Sequence, residues 1–295
     1  MTIARRARST LLLQQRVAAL RRMLPGARHG DVRSVHQARV ATRRLREALP
    51  LIAAGKAGRR LERAARSLTG VLGPVRELDV ALLMLEELAR SNAVSASAIA
   101  TLRTAVTDER HILQREAAKQ IDDIDMERLQ RKALQVLERK IGQIEDPIDR
   151  QARVVAARRR AARRAQRVEA AVDAAGAIYL PDRLHQVRIA VKKLRYALEI
   201  VRDLTRSRAE ARIRALKRMQ DLLGRMHDLE VLIARTRGIQ AAAVRDLQLS
   251  SDFDQLVRHL ETEARQLHGR FLSQRRALLD LCNRVAAATE PRRAA

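Results

Sequence analysis

The chain has 295 residues, with 60 Lys and Arg against 34 Asp and Glu and a formal net charge of +26. That excess is more than solubility requires and favours anionic partners such as nucleic acid, anionic lipid or a phosphate polymer. With no Trp, two Phe and two Tyr, the chain lacks the aromatic platforms on which single strands stack, and its one cysteine excludes an internal disulfide framework.

Leu, Ala, Arg, Glu and Gln dominate, and the 11 Gly and 6 Pro are few for this length. An all-helical chain follows. The first segment, through Leu24, is basic and superficially like a targeting sequence, but Gln14, Gln15 and Arg16 interrupt its apolar stretch. It reads as an amphipathic first helix. No apolar run has the length of a membrane span. Breaks are expected at Pro25-Gly26, Gly55 to Gly58, Gly73-Pro74, Pro147, Gly176 to Pro181, Gly224 and Gly238.

The second predicted helix holds HQARVATRRLREAL, starting at His36, with Arg39, Arg43 and Arg46 three, seven and ten positions on. Steps of three and four keep these side chains on one helical face, where like charges repel by a few tenths of a kcal/mol per pair. Val35, Ala38, Thr42, Leu45 and Leu49 form an adjacent apolar face for a core. The next segment carries Arg63 and Arg66, then LTGVLGPVRELDVAL from Leu68 to Leu82. From Ala93 to Ala175 the chain is helical and less informative. Its arginine run, Arg158 to Arg160 with Arg163 and Arg164, wraps around the helix and reads first as solvated surface, with a share in an anion surface as the alternative.

The pattern then recurs. HQVRIAVKKLRYAL begins at His185, 149 positions after His36, and repeats the basic row as Arg188, Lys192 and Arg195. Leu184, Val187, Val191, Leu194 and Leu198 supply the apolar face, and Asp182 is the expected N-cap. Arg214 and Lys217 stand where Arg63 and Arg66 stood, and MQDLLGRMHDLEVLI repeats the Leu-Gly segment at an offset of 151. A repeat this long argues for duplication, each half a small helical bundle. Packing about a pseudo-two-fold axis would bring the two basic rows together.

Glu77, Asp79, Asp228 and Glu230 are expected just after turns, capping helices or bracing stripe arginines. Metal-binding catalytic carboxylates are the alternative for them. His36 and His185 either donate to phosphate or pair with a carboxylate that orients the row. They lack the company expected of a metal site, and His227-Asp228 aligns with Arg76-Glu77, leaving His227 without a counterpart. Cys282 reads as a buried structural thiol.

The paired His-x-x-Arg helices and paired Leu-Gly-x-x-x-(Asp/Glu)-Leu-(Asp/Glu)-Val segments resemble the CHAD domain, the conserved histidine α-helical domain. The resemblance covers nearly the whole chain. It implies two antiparallel four-helix bundles related by a pseudo-two-fold axis, together one domain over 1–295 with halves of about 1–145 and 146–295. It also implies binding of inorganic polyphosphate along a basic channel and association with polyphosphate granules. The site residues it implies are His36, Arg39, Arg43, Arg44 and Arg46, then His185, Arg188, Lys192, Lys193 and Arg195. Arg63, Arg66, Arg214 and Lys217 join them with less certain register. Some relatives carry a triphosphatase domain with a Glu-x-Glu-x-Lys signature; its absence here removes the best reason to expect hydrolysis. The expectation is a cytoplasmic binding protein with no cofactor, no metal and no catalytic residue. A metal-dependent enzyme acting on a phosphorylated substrate and a non-specific nucleic-acid binder are the alternatives, nucleic acid being expected only as a weaker electrostatic competitor.

Overall fold

The computed structural model describes residues 8–53, 55–141, 147–205, 207, 209–242 and 246–288. The described residues are all-helical, in nine helices: α1 (Arg8–Arg28), α2 (Val32–Ile52), α3 (Lys56–Ser91), α4 (Ala96–Asp122), α5 (Met126–Ile141), α6 (Pro147–Ala175), α7 (Pro181–Thr205), α8 (Glu210–Ala242) and α9 (Leu247–Ala287). The first seven residues and the expected boundary near residue 145 lie outside the described residues.

Helices α1 to α4 pack in sequence and close through an α1–α4 contact, while α5 lies against α1 and α3. Helices α6 to α9 form a second closed set through the α6–α9 contact. The first half therefore holds a fifth helix beyond the four the family resemblance implied. The two sets meet through α2 and α7, α3 and α8, and α4 and α9, and α2 also touches α6. One continuous apolar core runs through both sets. All ten apolar-face residues expected on α2 and α7 are buried in it or, for Thr42, beside it. Thr42 satisfies its hydroxyl by donating to the Arg39 carbonyl at 2.9 Å.

Several expected breaks are absent. Pro25, Pro74, Gly73, Gly224 and Gly238 lie inside helices, so each Leu-Gly segment is the middle of a long helix. Glu77, Asp79, Asp228 and Glu230 consequently do not meet a helix N-terminus. Asp182 is not the N-cap of α7 either: the first turn closes on the Leu180 carbonyl, Pro181 takes the first helical position, and Asp182 follows within that turn. In α2, Asp31 is the N-cap, its carboxylate accepting from the Ser34 amide at 2.7 Å.

Candidate anion-binding site

The α2–α7 contact puts the two basic rows face to face. The field on Lys192 comes from Arg43, Arg188, Arg39 and Lys193, and that on Arg39 from Arg43, Arg188 and Arg76. Burial is the larger cause in both cases and the neighbouring cations add to it. Arg39 falls well below the ordinary guanidinium range, to about 10, and Lys192 falls from 10.5 to about 7. Arg188 is lowered too, by burial first, against the pull of Asp228. Among the described residues, no carboxylate stands within ion-pair distance of Arg39, Arg43, Arg188 or Lys192. These four basic groups are thus held together without an ion-pair partner, Asp228 acting on Arg188 and Glu77 on Arg39 only through space.

The glycine of the first Leu-Gly segment explains how Arg39 fits. A Cβ on Gly73 would lie 2.7 Å from Nη1 of Arg39, whereas one on Gly224 would lie 3.8 Å from Nε of Arg188, an ordinary contact. Gly73 is thus the close floor under Arg39.

The other expected residues divide. Arg46 is half-buried and feels Arg66 and Arg43, and Lys193 feels Arg164, Arg167 and Arg46, so both continue the positive surface. Arg195 is turned inward instead: only 8% exposed, it donates from Nη1 to Glu199 at 2.7 Å and from Nε to Gln220 at 2.9 Å. Arg44 also serves Glu199, its Nε lying 2.9 Å from that carboxylate. These two cations are spent on a buried carboxylate. Arg63 and Arg214 are exposed, while Arg66 and Lys217 pair with Glu62 and Asp221 one turn away on their own helices. No contact draws Arg63, Arg214 or Lys217 into the seam among the described residues.

His36 is shifted below its ordinary value by desolvation, then by Arg76, Arg39 and Arg43; His185 is shifted down by desolvation, then by Arg188 and Lys192, with Asp182 opposing. Both rings are therefore neutral near pH 7 in the free protein. The Nδ1 of His185 lies 3.1 Å from the Nδ1 of His227, whose own value falls to about 4 through burial, Arg188 and His185. His227 and Arg76 thus face the two stripe histidines from α8 and α3. The mismatch in the repeat, Arg76 against His227, was the sequence signal for both.

The four carboxylates go to separate partners. Asp79 is buried and accepts from Arg110 Nε at 2.7 Å, and Arg110 in turn donates to the Gly30 carbonyl at the α1–α2 turn. Glu77 pairs with Arg235 at 3.2 Å, and Glu230 accepts from the Tyr179 hydroxyl. Asp228, raised by burial, acts through its charge on Arg188, and Glu77 acts on Arg39. None of the four makes an ion pair with a stripe arginine among the described residues, and Asp228 and Glu77 act on the stripe through their field. Cys282 is buried and its thiol is pushed up to about 12 by burial and Glu169, as expected of an inert structural thiol.

Among solved structures, the chain resembles the CHAD domain from the plant Ricinus communis at a TM-score of 0.57 and 23% identity, over 96% of this chain and 90% of that one. At that identity the likeness is one of fold. No curated protein matches the sequence. The family model for the CHAD domain matches residues 11–237, taking in both basic rows and both Leu-Gly segments. On that match and on the all-helical architecture that goes with it, the chain belongs to the CHAD domain family.

Proposed function

We propose that this protein binds inorganic polyphosphate along the α2–α7 seam, and that its role is binding without catalysis. The observation that carries this reading is the unpaired cluster of Arg39, Arg43, Arg188 and Lys192, half-buried and mutually repelling, a costly arrangement that a linear polyanion would neutralise. Arginine holds two phosphate oxygens in a planar fork, and lysine contributes a point charge. A row from His36 to Arg46 runs about 15 Å along α2 at 1.5 Å per residue, long enough to meet several phosphates. A bare phosphate chain needs no aromatic stacking, which suits a protein with four aromatic rings of the Phe and Tyr kinds. Nucleic acid would feel the same field and serve as an electrostatic competitor. Association with polyphosphate granules follows from the same surface. No helix among the described residues is long and apolar enough to cross a membrane.

The test is calorimetric titration with long-chain polyphosphate at near-physiological salt, with duplex DNA and orthophosphate beside it. Tight binding that increases with chain length supports the reading. Equal weak binding to every polyanion would reduce it to general basicity.

Binding is expected to take up a proton. Lys192 sits at about 7 because of burial and its cationic neighbours. A polyanion cancels their field and returns the amine toward its ordinary 10.5, so affinity tightens as pH falls from about 10 to about 7 and levels off below. In the free protein the sign on stability is opposite: the unfolded chain keeps this proton to about 10.5 while the folded one loses it near 7, so this group makes stability rise with pH across that window. Calorimetry at pH 8 in two buffers of different ionisation enthalpy measures the uptake, expected to be of the order of one proton; identical uncorrected heats in the two buffers would remove Lys192 from the contact.

Gly73→Ala separates fold from site. Alanine in a helix interior is favoured over glycine by about 1 kcal/mol. Its Cβ would lie 2.7 Å from the Arg39 guanidinium, which must swing away. The variant is expected to be at least as stable as the wild type and to bind polyphosphate several-fold more weakly, as read by thermal melts and titration on one preparation.

A further inference from the structure

We propose that the groove between α6 and α7 is a second anion-binding segment, which carries a polyphosphate chain past the seam and in which Glu47 holds Arg164 in reserve. This rests on the function proposed above. The groove, of about 190 Å³, has an apolar floor at Ala171 and Ala190 and rails formed by Arg164 and Arg167 of α6 with Gln186 and Lys193 of α7. Arg164 and Arg167 are three apart, and Gln186 and Lys193 seven apart, so each pair stays on one face of its helix, over about 4.5 Å and about 10 Å respectively.

The groove and the seam are linked through α2, which touches both α6 and α7. Lys193 is depressed by burial and then by Arg164, Arg167 and Arg46, with Glu47 opposing. Arg46 in turn feels Arg43, the seam cation one turn back on α2. Positive charge therefore runs from Arg39 through Arg43 and Arg46 to Lys193, Arg164 and Arg167. A chain leaving the seam at Arg46 meets this groove next.

Glu47 interrupts that path. Its carboxylate accepts from Arg160 Nε at 2.8 Å and from Arg164 Nη2 at 3.4 Å, and all three side chains are mostly covered. Arg167 and Lys193 are exposed and have no carboxylate within ion-pair distance among the described residues. The groove thus offers two open cations at once and a third, Arg164, whose partner a phosphate chain can replace. The helical pitch placed the arginine run of α6 all round the helix; the packing against α7 selects Arg164 from it and adds Arg167, three residues on. Glu47 is peculiar to the first half, since the aligned position in the second is Tyr196.

The experiment is titration of the full chain with tripolyphosphate and with long-chain polyphosphate, for the wild type, Arg167→Ala, Gln186→Glu, Glu47→Gln and the alanine quadruple at Arg39, Arg43, Arg188 and Lys192. Gln186 is exposed, so its replacement adds a charge to the rail without touching the core. Arg167→Ala and Gln186→Glu should each weaken long-chain binding by about tenfold, confine that loss to the long chain, and lower the salt slope by about one. Glu47→Gln should tighten long-chain binding by releasing Arg164. Long-chain affinity unchanged in Arg167→Ala, Gln186→Glu and Glu47→Gln, with the quadruple variant inactive, overturns the groove and leaves the seam. Undiminished binding by the quadruple variant overturns the seam reading and the groove with it.

Discussion

Replacing Arg39, Arg43, Arg188 and Lys192 together by alanine is expected to lower affinity for long-chain polyphosphate by about a thousandfold or more, with helicity unchanged. Hydrogen bonds to charged groups are worth about 1.5–3 kcal/mol each, so losing even two or three of them removes about 4 kcal/mol or more. The same replacement should leave the unfolding temperature at low salt the same or higher. Burial and mutual repulsion lower Arg39, Arg188 and Lys192 in the folded state, so these cations oppose folding while serving the ligand. The control removes equal charge elsewhere: Arg22, Arg90, Arg258 and Arg276, all exposed, replaced by alanine. That variant should keep affinity within about tenfold, since distant surface charges are screened at physiological salt. Equal losses in the two quadruples would mean that overall charge, and not the seam, does the binding.

Glu199→Gln is expected to have the largest effect on the fold, a loss of about 3–5 kcal/mol in denaturant unfolding. Glu199 is 2% exposed and collects Arg195 from its own helix, Arg44 from α2 and, at 3.9 Å, Arg16 from α1. Arg16 keeps a second partner in Asp203 at 2.6 Å, but Arg195 is left buried with only Gln220. Removing one charge strands the others, whereas removing the pair does not. Glu199→Gln with Arg195→Met should therefore cost less than Glu199→Gln alone, and a double-mutant cycle reads the difference. Simple additivity of the two changes would mean that the carboxylate does not hold the three helices through these arginines.

The apolar faces of α2 and α7 were legible because burial follows the 3.6-residue period, and Val35, Leu45, Val187 and Leu194 needed no tertiary information to be assigned inward. The basic rows were legible for the same reason over seven residues. Over ten they were not: ten residues at 3.6 per turn fall about 80° short of a whole number of turns. Arg195 has drifted that far from His185, toward Glu199. Arg46 has the same spacing and stays on the surface because the position aligned with Glu199 is Pro50.

Gly73 and Gly224 misled in a different way. Gly73, beside Pro74, reads locally as a turn, but its missing Cβ makes room for Arg39 of the neighbouring helix; Gly224 reads as a break on residue type alone and lies in the middle of α8. Asp79 likewise found Arg110, a residue 31 positions away on α4, instead of the stripe.

Composition, helical periodicity and the recurrence of one motif were enough to determine an all-helical chain, its inward faces and two rows of basic residues, because these properties depend on near neighbours along the helix. Which cations remain unpaired depends on carboxylates that arrive from elsewhere in the chain. Glu199 withdraws Arg44 and Arg195, Glu47 withdraws Arg160 and Arg164, and packing of α2 against α7 leaves Arg39, Arg43, Arg188 and Lys192 facing one another. Only the tertiary structure decides that, since pairing of opposite charge is settled by distance in space and not by spacing in sequence.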